Sequence, residues 1–222
     1  MAADVSGSLD VPGSLTGGIQ LLCCNSESER QLARGFRNEV FLNRRSVMFS
    51  DALECRRDAE SHVMLLLYDG TPVATARSQP YPSDVSDVLG VSRDLPDWGA
   101  DSEVGRMAAV RSPWSARYSL MVLVLGSMWL LEHTSHRRYV AYCLPKMLRI
   151  FRLIGAEDTG ETCVVPGRTG RHSIILGSYE DCARLGMAHL GMSGAEARSA
   201  VRWQVANPQP REDHAIISGH GQ

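Results

Sequence analysis

An acidic and a basic side chain lie three positions apart in one short apolar segment, where they could handle protons and anions. In residues 102–110 (SEVGRMAAV), Glu103 could act as a general base and Arg106 could bind a carboxylate. Side chains alternate between the faces of a strand, so a regular strand would separate the two, whereas a bulge near Gly105 would turn both into one cleft. The alternative is a charged strand end with one exposed ion pair.

Size and charge limit the classes of protein to consider. The chain has 222 residues, 44% of them hydrophobic, which fits one globular domain. We predict a single domain over residues 19–206, with flexible segments at 1–18 and 207–222. Lys+Arg 23 against Asp+Glu 25 leaves no basic excess, so we expect no nucleic-acid partner.

Six cysteines show neither C-x-x-C nor Cys/His ligand spacing, so we predict buried free thiols in a reducing compartment, with no disulfide, zinc or other metal site. The N-terminal residues lack the pattern of a signal peptide, and we expect a cytoplasmic protein. The longest apolar stretch, residues 118–131, has about 14 residues, against roughly 20 for a transmembrane helix. We therefore predict a buried helix there and no transmembrane segment.

The elements that must position Glu103 and Arg106 follow from periodicity and turn signals. We predict strands at 19–24, 62–68, 72–77, 103–110, 139–143, 163–165 and 173–176. We predict helices at 27–42, 115–134, 145–154, 179–186 and 193–205, with a short helix at 83–89. Asp69-Gly70 between two apolar runs is a strong hairpin signal, and Gly155 is typical of a helix C-terminus.

This order predicts an α/β (α+β) fold with a mixed central sheet and flanking helices. Its centre is a β-α-β crossover, in which strand 103–110 continues through the long helix to strand 139–143. Because ligands bind at the carboxyl ends of parallel strands, we expect the functional cleft beside residues 103–110.

Several motifs, in chain order, also resemble one enzyme superfamily. Residues 34–41 (RGFRNEVF) resemble an L-R-x-x-V-F helix element that includes Arg37 and Phe41, and residues 58–66 (DAESHVMLL) resemble D-x-x-A/S-x-H-x-L. Residues 70–77 (GTPVATAR) resemble G-x-x-V-G-x-x-R, and residues 103–110 resemble E-[I/L]-[S/G]-R-x-A-V. Residues 144–156 are similar to a P-x-x-x-x-[Y/F]-R-x-[L/I]-G-[A/F] helix end. Over residues 19–180 the chain thus resembles the GNAT superfamily, in the branch of acyl-homoserine lactone synthases and long-chain N-acyl amino acid synthases.

The resemblance implies a GNAT-like fold and an N-acyltransferase. Such an enzyme would move a fatty acyl group from acyl carrier protein or acyl-CoA, as cosubstrate, to the amine of an amino acid or similar small molecule, with no bound cofactor. The rival enzyme is an acyl-homoserine lactone synthase, which makes a quorum-sensing signal from S-adenosylmethionine. A rival of another class is a non-catalytic GNAT-like module that binds acyl carriers or a partner protein.

Two departures from the family pattern affect this choice. Autoinducer synthases carry an E-x-D-x-x-D cluster, on which Leu53, Cys55 and Asp58 fall here, leaving one carboxylate and weakening the case for homoserine-lactone chemistry. The common pyrophosphate loop would follow Val110, but residues 111–117 (RSPWSAR) contain no glycine. The branch of the family that uses acyl carrier protein also lacks these loop glycines.

The resemblance and the chemistry of thioester aminolysis together assign the site. Glu103, directly or through a water, would take the proton of the amine, and Arg106 would work beside it. The acceptor's carboxylate or lactone would meet Arg37, Arg77 and Arg106, although some of these arginines could instead only tie the first helix to the sheet. The predicted substrate-binding residues are Arg37, Phe41, Asp58, Arg77, Met107, Ala108 and Ala109, the last three through oxyanion-binding amides. Those predicted for the acyl donor are Arg111, Ser115 and Arg117, of which Ser115 could also cap the helix.

Three further expectations concern surfaces and the core. Met121, Met128 and Trp129 of the long helix could line a tunnel for a fatty chain, or belong to ordinary core. His62 and His172 are expected to be structural or exposed. The basic groups at 44–45, 56–57 and 136–138 are expected to be solvated surface, with docking of an acidic acyl carrier protein as the alternative.

Overall fold

The computed structural model describes residues 18–45, 50–89, 98–165 and 170–201. In these ranges seven strands form one mixed sheet in the order β1-β2-β3-β4-β5-β7-β6. Only β4 and β5 pair in parallel among the described strands, which confirms the predicted mixed sheet and crossover. The strands are β1 (Ile19–Cys24), β2 (His62–Tyr68), β3 (Thr71–Pro80), β4 (Ser102–Ala109), β5 (Arg138–Cys143), β6 (Glu157–Val164) and β7 (Arg171–Ser178).

Helices cover both faces of this sheet. The helix α4 packs on the sheet together with α6, whereas α1 packs across β3 and β4. The helices are α1 (Glu27–Arg45), α2 (Asp51–Ala59), α3 (Asp84–Leu89), α4 (Ser115–His133), α5 (Leu148–Leu153), α6 (Tyr179–Leu190) and α7 (Gly194–Ala200), and a 3₁₀ turn, Pro145–Met147, precedes α5.

The sheet is buried on both faces because its central strands are apolar on both sides. In β2, Met64 and Leu66 belong to the main core with α4, while Val63 and Leu65 pack with Ala33 of α1. This double burial explains why β2 reads as a continuous apolar run, without the alternation of a half-exposed strand.

The apolar stretch at 118–131 forms a helix enclosed by the sheet and α6, as predicted, with residues 118–127 all buried. Two glycines allow α4 to pack closely against the sheet and against α6. A Cβ on Gly126 would lie 2.2 Å from Sδ of Met64, and one on Gly186 of α6 would lie 2.2 Å from Cγ2 of Val124. Among the described helices, none has the combined length and hydropathy that a bilayer crossing requires.

Local turn chemistry agrees with the sequence. Asp69 and Gly70 adopt φ angles of 47° and 77° in the two-residue β2–β3 hairpin, which is the conformation that Asp-Gly favours. Gly155 follows α5 with φ 80°, confirming the predicted helix end. All six cysteines are free and five are buried, and burial raises the pKa of Cys23, Cys24, Cys143 and Cys182 to about 12.

Several boundaries differ from the prediction. The strand predicted at 163–165 begins six residues earlier, at Glu157, because β6 is an edge strand whose exposed polar residues give no apolar period. The helix predicted at 193–205 is α7, capped by Ser193 with a reciprocal bond to Glu196. It ends at Ala200, earlier than predicted, because Val201 is extended and forms a parallel bridge with Leu21 of β1. Residues 202–205 lie outside the described ranges, as does nearly all of both predicted terminal segments.

Candidate active site

A cleft opens where the two parallel strands separate. Backbone pairing between β4 and β5 is limited to Ser102 with Tyr139 and Glu103 with Val140. Beyond these pairs the strands diverge toward their carboxyl ends, and the gap is a cleft of about 1410 Å³. The opening lies at the carboxyl ends of the parallel strands, where the sequence analysis placed the cleft. Its wall includes residues 104–111 with β4, residues 142–144, 146, 147 and 151 around β5 and α5, residues 32, 36, 39–41 and 43 of α1, residues 71 and 72, and Ser119 and His172.

A bulge in β4 faces this cleft. The register with β3 passes from Arg77 opposite Gly105 to Thr75 opposite Ala108, so Arg106 and Met107 together oppose Ala76. Arg106 has φ 52°, in the left-handed region that L residues rarely adopt. Of the two alternatives for this strand, the one with a bulge near Gly105 is therefore present.

The bulge brings Glu103 and Arg106 to one loop. Glu103 accepts hydrogen bonds from the backbone N–H groups of Ser83 and Val85, at 2.5 and 2.9 Å. Asp84 lies between Ser83 and Val85 in the chain, and its Oδ2 is 3.1 Å from Nη1 of Arg106. The side chains of Glu103 and Arg106 thus both contact residues 83–85, but only Arg106 belongs to the cleft wall, so the bulge does not bring both of them into the cleft.

Arg106 is held on several sides. Its Nε and Nη2 donate to Oε1 of Glu54 at 3.1 and 3.0 Å, and its Nη1 donates to the Tyr142 hydroxyl at 3.4 Å. Burial alone would lower the pKa of Arg106, but the Glu54 carboxylate and the Tyr142 hydroxyl together outweigh burial and raise it. The guanidinium is therefore a fixed positive charge in the cleft wall.

Behind Arg106 lies a group of paired charges that we call the buried ion cluster. Nη2 of Arg37 lies 2.7 Å from Oδ2 of Asp58, and Nη1 of Arg77 lies 3.0 Å from Oδ1 of Asp58. Nη1 of Arg77 also lies 3.1 Å from Oε2 of Glu54. The cluster consists of Arg34, Arg37, Arg57, Arg77 and Arg106 with Glu54, Asp58 and Asp84.

The cluster changes the interpretation of two predicted substrate-binding arginines. Arg37 is 0% exposed and Arg77 is 1% exposed, and neither is part of the cleft wall. Their carboxylate partners come from α2 and from the start of α3, so the geometry favours the alternative in which they tie helices to the sheet. A substrate role for Arg37, Arg77 and Asp58 stays a prediction.

The motif comparison missed Glu54, which supplies a second buried carboxylate. It precedes Asp58 by four residues on α2, and this spacing places both side chains on one helix face. Burial by itself would raise the pKa of each carboxyl, but Arg106 and Arg77 beside Glu54, and Arg37 beside Asp58, hold both below their usual values. The i, i+4 spacing of two acids was the available signal.

Glu103 has a different environment from these carboxylates. Besides the two backbone N–H groups it accepts a bond from Nε2 of Gln79 at 3.3 Å, and it is 1% exposed. Burial raises its pKa. It lies outside the cleft wall and anchors the loop that leads into α3, so its action as general base stays a prediction.

Backbone N–H groups of β4 are available on the cleft side. The N–H of Val110 donates to the carbonyl of Val73 at 2.9 Å, which makes Ala109 and its partner Ala74 a non-hydrogen-bonded pair of the β3–β4 ladder. The N–H of Ala109 therefore points away from β3, toward the side from which β5 has diverged. Met107, Ala108 and Ala109, predicted for substrate binding, all belong to the cleft wall, as does Phe41.

The three residues predicted for the acyl donor are separated. Arg111 is exposed in the cleft wall. The Ser115 hydroxyl donates to the carbonyl of Val110 at 2.5 Å, and Trp114 is the N-cap of α4, so the expected capping by Ser115 is wrong. Nη2 of Arg117 donates to the carbonyl of Leu190 at 3.1 Å, which ties α4 to the end of α6.

Of the two alternatives for the α4 side chains, a tunnel against the sheet is not formed in the described residues. The space between them amounts to about 20 Å³, roughly one water molecule, and Met121 is 0% exposed in the core. The Trp129 ring stacks on that of His133, with ring centroids 4.7 Å apart. The ring of His62 also packs against Trp129, with a centroid distance of 5.3 Å. The α4 side chains are ordinary core, so any acyl chain needs another location.

Sequence reasoning placed none of four cleft-wall residues with reactive groups in the site. They come from β5, its following turn and β7, and no motif singled them out for a role: Tyr142, Cys143, Lys146 and His172. His172 is buried, and its ring meets that of Tyr142 edge-on at 5.9 Å. Over the ranges that the structure describes, no group of three His, Cys, Asp or Glu side chains is arranged to hold a metal ion.

Comparisons with solved structures agree on the architecture. FeeM, an N-acyl amino acid synthase from uncultured soil microbes, superimposes with a TM-score of 0.63 at 13% identity, over 81% of this chain and 100% of that one. BjaI, a CoA-dependent acyl-homoserine lactone synthase solved with SAM and isopentyl-CoA, gives a TM-score of 0.57 at 17% identity, over 82% and 98%. A putative N-acetyltransferase from Lactobacillus plantarum gives 0.55 at 16% identity, over 73% and 99%.

Sequence comparison adds nothing to this result, since no protein-family model and no curated protein matches the chain. The similarity to the solved structures spans nearly the full length of each of them. The chain therefore has the GNAT-like fold shared by N-acetyltransferases, N-acyl amino acid synthases and acyl-homoserine lactone synthases, as its motifs predicted.

Proposed function

We propose that this chain is an acyltransferase that moves a fatty acyl group from an acyl-carrier-protein or CoA thioester to the amine of an amino acid or a similar small molecule. The observation that carries the proposal is the separation of β4 from β5 after two residue pairs, which opens a cleft with a free strand edge. Strand edges offer N–H and C=O groups in a row, which suits an extended substrate with amide groups, such as a pantetheine arm.

The chemistry needs a place for the developing oxyanion. When an amine attacks a thioester, the carbonyl oxygen becomes negative, and positioned N–H donors stabilise that charge. The N–H of Ala109 faces the cleft side of β4, and the guanidinium of Arg106 adds a fixed positive charge on the same strand. These two groups support an acyl-transfer step at the bulge.

The wall formed by α1 favours a fatty acyl group over an acetyl group. Leu32, Phe36 and Val40 lie at i, i+4 and i+8 on this helix and line the cleft, and Leu32 is 50% exposed. Burial of a fatty chain against this stripe would remove apolar surface from water at about 25 cal/mol per Å². An acetyl group would leave most of the stripe exposed.

One observation favours the acyl-homoserine lactone synthase as a second candidate. Of the three-acid cluster only Asp58 matches in sequence, but Glu54 supplies a second carboxylate beside it in space, and both join the buried ion cluster. BjaI, which has the same fold, was solved with SAM. S-adenosylmethionine is therefore the acceptor to test beside amino acids.

The deciding experiment incubates the purified chain with octanoyl-CoA or octanoyl carrier protein and a mixture of amino acids, with and without S-adenosylmethionine. Thiol release is followed by absorbance and products by mass spectrometry. N-acyl amino acids would support the proposal, and acyl-homoserine lactones would support the second candidate. Binding of the thioester without thiol release would overturn both and favour a non-catalytic binding module.

A matched pair of variants connects the activity to the cleft. Met107→Trp would fill the cleft at the bulge, whereas Met128→Trp changes a half-buried methionine of α4 outside the cleft wall. We expect at least a tenfold loss of thiol release in the first and a smaller loss in the second. Equal losses would show that the cleft is not the site.

A further inference from the structure

The wall of the cleft contains Lys146, and the sequence of 222 residues has no other lysine. We propose that Lys146 is a self-acylation site, at which the chain transfers the acyl group of its own bound thioester to the lysine amine when no acceptor is present. This inference rests on the proposed function, since it uses the same donor and the same cleft.

The local structure holds Lys146 where a donor would lie. Pro145 starts the 3₁₀ turn Pro145–Met147 directly after β5, and the N–H of Met147 donates to the carbonyl of Leu144 at 2.8 Å. Lys146 in the middle of this turn is exposed and part of the wall that diverges from β4. The turn fixes the backbone, while the flexible four-carbon stem lets the amine move within the cleft.

The step needs no further reactant. The neutral Nζ of Lys146 attacks the thioester carbonyl carbon, a C–N bond forms, and the C–S bond breaks. The amine loses one proton and the leaving thiolate gains one, so the products are an amide on Lys146 and a free thiol. The proposed reaction forms the same kind of amide on a small acceptor, and here the side-chain amine of Lys146 takes the place of the acceptor's amine.

Other groups of the wall are poorer acceptors. Arg106 and Arg111 carry guanidinium groups, which are poor nucleophiles toward thioesters. Cys143 could form a thioester, but burial raises its pKa to about 12, so its nucleophilic thiolate is scarce. A thioester on Cys143 would also exchange with free thiols, whereas an amide on Lys146 would persist.

Self-acylation would lower activity, because the attached chain would occupy the wall where the next donor binds. It would also remove one positive charge at the cleft. A chain that meets donor without acceptor would thus inactivate itself gradually, and acceptor would protect it.

The test incubates the full-length chain with octanoyl-CoA and no amine, and follows intact mass and peptide maps. We expect one octanoyl group, resistant to hydroxylamine and located on Lys146, and a slower reaction when a non-transferable thioether analogue of octanoyl-CoA competes. The control variant is Lys146→Arg, which keeps the charge and removes the amine, and the chain denatured in urea serves as a second control. For each protein, the rate of transfer to amino acids is compared before and after this incubation, and only the wild type should lose activity.

Each other outcome overturns the inference. Labelling that is equally fast in urea would be ordinary chemical acylation, and labelling that disappears with hydroxylamine would place the acyl group on a cysteine. Transfer to amino acids by an unlabelled wild type would reject self-acylation and leave the proposed function intact. Absence of both labelling and transfer would reject the proposed function together with it.

Discussion

Glu54 Oε1 accepts two hydrogen bonds from Arg106, from Nε at 3.1 Å and from Nη2 at 3.0 Å. This pair joins α2 to the bulge of β4, where Arg106 has a left-handed backbone. Because such a conformation costs about 1–3 kcal/mol, it persists only where surrounding contacts enforce it. The ion cluster behind the strand therefore determines the shape of the cleft in front of it.

Replacement of Glu54 should destabilise the fold strongly. In Glu54→Gln, Arg106 and Arg77 each lose one of their carboxylate partners in a buried site and keep Asp84, so we expect the free energy of unfolding to fall by an amount at the lower end of about 3–5 kcal/mol. Glu39→Gln, on the exposed side of α1, should change it by less than about 0.5 kcal/mol. Urea unfolding measures both, and similar values for the two variants would contradict the structural role of Glu54.

The same cluster predicts a loss of stability in acid. The pKa values of Glu54 and Asp58 in the folded state lie below the usual 4.5 and 3.8, because nearby arginines outweigh the effect of burial. Their contribution to stability is complete above those usual values and is lost as the pH falls through the folded pKa values. Glu103, with a raised pKa, acts in the opposite sense, since its contribution is lost as the pH rises through its folded value.

Thermal unfolding measured between pH 6 and pH 3 should therefore show a fall in Tm below about pH 4.5. In Glu54→Gln this decline should be shallower, because one of the two carboxylates with a lowered pKa is gone. A decline as steep as in the wild type would assign the acid sensitivity to other groups.

Glu103→Gln tests whether Glu103 is an anchor or a base. The carboxylate accepts bonds from two backbone N–H groups, and a glutamine offers a single acceptor oxygen, so one N–H would face an NH₂ group. We expect a loss of about 1–3 kcal/mol and faster amide hydrogen exchange at Ser83 and Val85. Glu60→Gln, an exposed neighbour of α2, is the matched control. Unchanged stability with activity lost would instead identify Glu103 as the general base.

Substitutions on α1 should change the preferred acyl length. Val40→Phe adds volume to the cleft wall. The control, Leu42→Phe, adds similar volume at a position of α1 that is 50% exposed and outside that wall. We expect Val40→Phe to shift the ratio of kcat/KM for hexanoyl-CoA over dodecanoyl-CoA by about tenfold toward the shorter chain, in the range of the 1–3 kcal/mol that a methylene group contributes to discrimination. An equal shift in both variants would place the acyl chain elsewhere.

The predicted donor-binding arginines should behave differently from one another. Arg111→Ala removes an exposed charge of the cleft wall and should raise the KM for acyl-CoA several-fold, with an effect that weakens at high salt. Arg117→Ala loses the bond to the carbonyl of Leu190, so stability should fall by about 1 kcal/mol while KM stays the same. An increased KM in Arg117→Ala alone would reverse these assignments.

Local patterns in the sequence determined much of the fold. The Asp69-Gly70 hairpin, the buried α4 and the crossover from β4 to β5 all depend on turn chemistry and apolar periodicity over a few neighbouring residues. A bulge near Gly105 was one of two alternatives for a strand with an acid and a base at i and i+3, and the structure has it at Arg106, although it brings only Arg106 to the cleft wall. Edge strand β6 was predicted too short, since an exposed polar strand carries little periodic signal.

Tertiary structure decided which charged residues face the cleft. Arg37, Arg77 and Arg106 look equivalent in the sequence, yet the first two are enclosed by Glu54, Asp58 and Asp84, and only Arg106 reaches the cleft wall. Tyr142 and Lys146 joined that wall because β5 diverges from β4, which no local motif records. The types of side chain are fixed by sequence, but their partners depend on the long-range packing of α2 and β5 against β4, and that packing separates buried ion pairs from groups that can meet a substrate.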